Sequence, residues 1–171
     1  MDIIEGVEAT LIDNGMPVVI LPAAAFGITC GESPDALEAD TELRARIEAI
    51  RRIAGPMMNL GDVRDASVPK MTLAAPPRQG GTIATRSFIP HRCHKAIGVF
   101  AAVSVGHACL LGEGPAARAA RLPARGGQVT LDIEHPTGTF GVVFHLTPDG
   151  SPLSGGVLRT ARKLMDGRVF A

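Results

Sequence analysis

The densest grouping of side chains able to do chemistry lies between residues 86 and 98. Arg86, Ser87, His91, Arg92, His94 and Lys95 stand there, followed at once by an apolar run from Ala96 to Leu111. A helix beginning at that point presents free backbone N–H groups and the positive end of its dipole. Arg and His beside such an end form a carboxylate site; the alternative is that His91 and His94 cap the helix and the arginines are solvated. His91, Cys93 and His94 are too close together to converge on one zinc ion, and their spacing fits no structural zinc pattern, so no metal site is expected. A nucleophilic Cys93–His pair lacks a third orienting group.

Other segments carry weaker signals. The glycine pairs at 80–81, 126–127 and 155–156 belong to turns, and none forms a Walker A loop or a GxGxxG word between a strand and a helix. Cys30, Cys93 and Cys109 are three, far apart and without a CxxC, which argues against a disulfide framework. His135-Pro136-Thr137-Gly138 reads as a structural turn. Arg159-Thr160-Ala161-Arg162-Lys163 reads as an exposed tail or a partner-binding segment.

These residues need elements to position them. Val7–Ile12 and Pro17–Leu21 read as strands around an Asp13-Asn14-Gly15 turn. Ser33-Pro34-Asp35 opens a short helix, and Asp40 caps a longer one whose Leu43, Ile47, Ile50 and Ala54 share a face. Arg44, Arg46, Glu48, Arg51 and Arg52 lie mostly off that face, and Gly55-Pro56 ends the helix. Pro69–Ala75 and Thr82–Ile89 read as strands. The run 96–111, interrupted only by Ser104 and His107, predicts a buried helix. Residues 115–127 read as a surface connection. Gln128–Glu134 and Thr139–Leu146 read as strands, with a Pro148-Asp149-Gly150 turn, a strand over Gly156–Ala161 and a short one at Val169-Phe170. The sum, about seven strands and two main helices, predicts one α+β domain over residues 1–171, with mainly antiparallel sheet wrapped around a central buried helix.

Composition sets the outer bounds. The chain has 171 residues, 46% hydrophobic and only 4% aromatic, which is too apolar for a disordered chain. No apolar run reaches the ~18 residues of a membrane span, and the acidic start lacks a signal-peptide n-region, so a cytoplasmic location and no membrane partner are expected. A net charge of zero hides an asymmetry: residues 1–85 carry 12 acidic and 7 basic side chains, residues 86–171 carry 5 and 10. A basic second half suits acidic ligands, whereas the absence of a Lys/Arg cluster with interleaved aromatics disfavours nucleic acid.

Several longer words occur in a set order: Thr10-Leu11-Ile12-Asp13-Asn14-Gly15-Met16-Pro17, Met58-Asn59-Leu60-Gly61-Asp62-Val63, Ser67-Val68-Pro69-Lys70-Met71 and Ala75-Pro76-Pro77. Arg86-Ser87-Phe88-Ile89-Pro90-His91-Arg92, Ile133-Glu134-His135-Pro136-Thr137-Gly138 and Leu158 to Gly167 follow. Together they resemble the 4-oxalomesaconate tautomerases (Δ-isomerases) of the methylaconitate cis-trans isomerase family, within the diaminopimelate-epimerase-like fold. The likeness runs from about residue 5 to the end.

The resemblance implies a two-domain, cofactor-independent isomerase with its active site in the cleft between similar domains, and this chain resembles only the second. The family's proton-transfer Lys and Cys lie in Ser-Lys-Gly and Asn-Cys-Gly words of the first domain. Neither word occurs here, and Lys70, Lys95 and Lys163 do not sit in such words. No catalytic residue is therefore assigned. The chain is expected to be a C-terminal half, from a truncated or split gene or a cut chain, and inactive alone. Its implied substrate is a small unsaturated keto-tricarboxylate of bacterial gallate or protocatechuate breakdown. Substrate-binding candidates are Arg86, Ser87, His91, Arg92 and His94, with the Asn14-Gly15-Met16 turn as the opposite wall. Lys95 stands about where the related epimerases carry a second catalytic Cys, which argues against a two-cysteine racemase. The tail 159–171 is expected to pack on the missing first domain, so the expected partners are that domain or a second copy. The competing readings are a non-catalytic binding or assembly protein and a single-domain isomerase made active by homodimerisation.

Overall fold

The computed structural model describes residues 1–124 and 126–168. Its nine strands are β1 (Asp2–Ile4), β2 (Val7–Asp13), β3 (Pro17–Pro22), β4 (Lys70–Ala75), β5 (Ile83–Ile89), β6 (Arg92–Cys93), β7 (Gln128–His135), β8 (Gly138–Leu146) and β9 (Pro152–Val157). Its α-helices are α1 (Pro34–Ala39), α2 (Thr41–Met57), α3 (Val99–Leu110) and α4 (Gly114–Ala119). The strands form one sheet in the order β1-β2-β3-β4-β5-β7-β8-β9, with β6 paired to β5. Only β3·β4 and β5·β7 are parallel, so the sheet is mainly antiparallel.

The sheet separates two apolar layers. Val19 and Leu21 of β3 and Met71 and Leu73 of β4 face α1 and α2, packing with Leu37, Leu43, Ile47, Ile50 and Ala54. Val18 and Ile20 face the other way, onto α3 and its Ala101, Ala102, Val105 and Cys109. Both faces of the central strands are covered, so they read as continuous apolar runs rather than alternating ones. α3 touches β2, β3, β7, β8 and β9, the expected helix within a wrapping sheet. Gly106 makes this possible: a Cβ there would stand 2.7 Å from the Phe144 ring of β8.

Several boundaries differ from the sequence reading. α2 continues through Gly55 and Pro56 to Met57. Gly55 is there for closeness, since a Cβ would lie 2.5 Å from Val63. α3 starts at Val99, not Ala96, because His94 and Ala96 are engaged elsewhere: His94 N–H donates to Ser87 O and Ala96 N–H to His94 Nδ1. Residues 114–119 are helix α4, with Gly114, Pro115 and Ala116 buried against the sheet; Pro115 suits the first turn because its missing N–H would have no helical partner. The strand expected over Gly156–Ala161 is β9, Pro152–Val157, set by antiparallel pairing directly after the turn, His145 opposite Ser154. Arg51, expected off the core face, is fully buried: it donates to Glu48 and to the carbonyls of Ala66 and Val68. β1 and β6, at three and two residues, are too short to carry a periodic signal. Arg159 to Arg168 is exposed and without regular structure; the strand expected at Val169-Phe170 lies outside the described residues. Among the described residues no helix is long and apolar enough to cross a membrane.

Candidate functional site

Phe100, Ser104 and His107 fall at i, i+4 and i+7 on α3, one stripe of the helix. That stripe clamps the turn between β2 and β3. Ser104 Oγ donates to Met16 O at 3.2 Å and accepts from Asn14 N–H at 3.3 Å. His107 Nδ1 lies 3.1 Å from Asn14 Oδ1, and burial holds its pKa below the usual histidine value, so it is neutral at pH 7. A Cβ on Gly15, whose φ is +86°, would sit 3.4 Å from the Phe100 ring. The only polar interruptions in the apolar helix thus hold the turn in place, while Asn14 Nδ2 is buried without a protein partner.

The clamped turn closes one side of a cavity of about 90 Å³ at the N-terminus of α3. Met16, Ile89, Val99, Phe100 and Ala101 supply apolar wall; Lys70, Ser87 and Gly98 supply polar groups. Gly98 is the N-cap and has no side chain to cap with, and the first helical bond runs from Ala102 N–H to Gly98 O. The N–H groups of Val99, Phe100 and Ala101 therefore have no carbonyl within the helix. Ser87 Oγ shares a 2.9 Å hydrogen bond with Thr72 Oγ1. Chemically, this place offers N–H and O–H donors, one ammonium and a partial positive charge, in an apolar surround. It fits a carboxylate.

The structure brings together some of the expected site residues and separates others. Met16 and Ser87 line the cavity, and Asn14 and Gly15 support it. Arg86 projects to the opposite face of β5, with Ala84 and Phe88; it is buried, donating from Nε to Glu32 O at 2.9 Å and from Nη1 to Thr85 O at 2.8 Å. His91 and Arg92 lie against the helices, with His91 Nδ1 3.7 Å from Glu48 of α2 and Arg92 Nε 3.7 Å from Glu38 of α1. His94 braces the entry to α3 through its ring. Thr137 Oγ1 donates to Lys95 O, so the 135–138 turn packs against this segment. Burial first, then the charges of Arg86 and His94, lower the His135 pKa. Among the described residues no three His, Cys, Asp or Glu side chains group as metal ligands would.

Sequence reasoning missed Lys70 as a cavity residue, although it stands in the word Ser67–Met71. The signal was available in the alternation of β4: Lys70, Thr72 and Ala74 share the α3 face, and Thr72 meets Ser87.

The family model described as PrpF protein matches residues 1–171. The chain is 55% identical over 170 residues to the (4E)-oxalomesaconate Delta-isomerase of Novosphingobium sp. (strain KA1), covering 99% of this chain and 47% of the relative. It is 54% identical to the 4-oxalomesaconate tautomerase of Pseudomonas putida, covering 98% of this chain and 46% of the relative. Among solved structures, a methylitaconate-delta-isomerase superposes with a TM-score of 0.79 at 21% identity, covering 94% of this chain and 46% of that one, which shows a shared fold. The chain spans about half the length of the curated relatives it matches.

Proposed function

The chain belongs to the PrpF protein family, and from that premise we propose that it is the substrate-binding half of a 4-oxalomesaconate isomerase. The observation that carries this reading is the 55% identity to such an isomerase over nearly all of this chain but only 47% of the relative. The reaction is a 1,3-proton shift. A base takes an allylic proton, the double bond moves, and an acid returns a proton two carbons away. The intermediate dienolate gathers negative charge next to carboxylates, and donors aimed at that charge lower the barrier. The α3 N-terminus and Ser87 Oγ supply such donors, with Met16 of the clamped turn as a wall, while the proton-transferring groups belong to the part of the relatives that this sequence does not span. Arg86, His91, Arg92 and His94 act from behind the site, through the strand and the loop that carry it. The exposed segment Arg159–Arg168 packs on that other half or on a second copy.

Turnover of oxalomesaconate by the purified chain, measured over a wide range of dilution, tests this. No turnover at any concentration is expected. Turnover that is independent of dilution contradicts the half-enzyme reading. Turnover that falls steeply on dilution identifies a homodimer instead.

A further inference from the structure

We propose that the Lys70 ammonium seats one carboxylate of the substrate in the cavity beside α3, and so selects for polycarboxylates; this rests on the reading of the chain as a substrate-binding half. Among the described residues Lys70 is the only charged one in the cavity wall, and no acidic residue lines it. Among the described residues no carboxylate lies within ion-pair distance of its Nζ. Arg92, His91 and Arg118, by contrast, each face a glutamate. Nζ donates to Ser67 O at 2.6 Å, which holds the ammonium without neutralising it. Burial lowers its pKa from the usual lysine value, the sign of a cation short of a counter-charge.

The support is rigid. Ser67 lies between Ala66 and Val68, whose carbonyls accept from the buried Arg51 guanidinium at 3.1 and 3.0 Å. Thr72, two residues along the same face, holds the Ser87 hydroxyl at 2.9 Å. An anion in the cavity then meets the ammonium and the Ser87 hydroxyl, with the Met16 and Phe100 side chains as walls. At about 90 Å³ the space has room for a carboxylate.

Calorimetric titration of the full chain with tricarballylate (propane-1,2,3-tricarboxylate) tests the assignment. Lys70→Met is expected to weaken binding about tenfold or more, as loss of a hydrogen bond to a charged group does. Lys70→Arg, which keeps the charge, is expected to recover most of the affinity. The melting temperatures of both variants should match the parent, because Lys70 is partly exposed and outside both apolar layers. If the parent binds and Lys70→Met binds equally well, Lys70 is not the seat, and the substrate-binding reading stands without it. If the parent binds no tricarballylate, both are overturned.

Discussion

Neighbouring residues on β5 have opposite fates. Ser87 enters the cavity, and Arg86 ties the loop before α1 to the strand. The period of two in a strand already implies that split, but the Glu32 carbonyl that receives Arg86 lies 54 residues away and leaves no local trace. Ser104 and His107 show the same limit. Their presence in an apolar run was legible, whereas their partners in the 14–16 turn stand about 90 residues off. Cys93 is the residue most easily mistaken for a nucleophile. Burial raises its pKa to about 11, and those of Cys30 and Cys109 to about 12. Iodoacetamide at pH 8 is therefore expected to leave all three thiols unmodified in the folded chain and to label them after denaturation; fast labelling of Cys93 contradicts this. The raised values also set a sign. The buried thiols favour the fold below the ordinary thiol value of 9.0, and that contribution is lost as pH rises toward 11 and 12.

Among the elements, α2 was the most legible, because its cap and apolar face are local. Asp40 accepts from Leu43 N–H at 2.9 Å, and Leu43, Ile47, Ile50 and Ala54 are buried as their spacing requires. Asp40→Ala is expected to cost about 1 kcal/mol in chemical denaturation. Helix α4 was not legible, since six residues, three of them Ala, gain their order from docking on the sheet rather than from periodicity. α3 carries a stricter demand. A glycine in a helix interior ordinarily weakens it, so Gly106→Ala would stabilise an isolated helix. Here the added methyl meets Phe144, and the substitution is expected to destabilise by about 1–3 kcal/mol, with partial rescue by Phe144→Leu. An increase in melting temperature for Gly106→Ala would show that α3 does not pack as closely as described. Glu134 makes a comparable demand on the loop after β4. Burial pushes its pKa up, but N–H donation from Arg78, Gln79 and Gly81 outweighs that and holds it low. Glu134→Gln replaces one of its two acceptor oxygens and is expected to cost about 2 kcal/mol.

Across the chain, the opposite charges of the two sequence halves are partly joined by pairing. Glu38 faces Arg92, and Glu8 faces Arg118. The basic excess is thus not one patch, and the cavity's own charge comes from the acidic half, at Lys70. The α+β architecture was legible because it follows from apolar patterning. The cavity was not, because it exists only where β4, β5, the first turn and α3 meet. Phe100 at its rim is 56% exposed. Backbone amide NMR of the chain titrated with tricarballylate reports most directly on whether this end of α3 holds carboxylates. The largest shifts are predicted at Met16, Ser87 and Gly98 through Ala101, with Gly126, Gly127 and Gly150 at a remote surface unchanged. Shifts confined to other surfaces, or none at millimolar ligand, would contradict it.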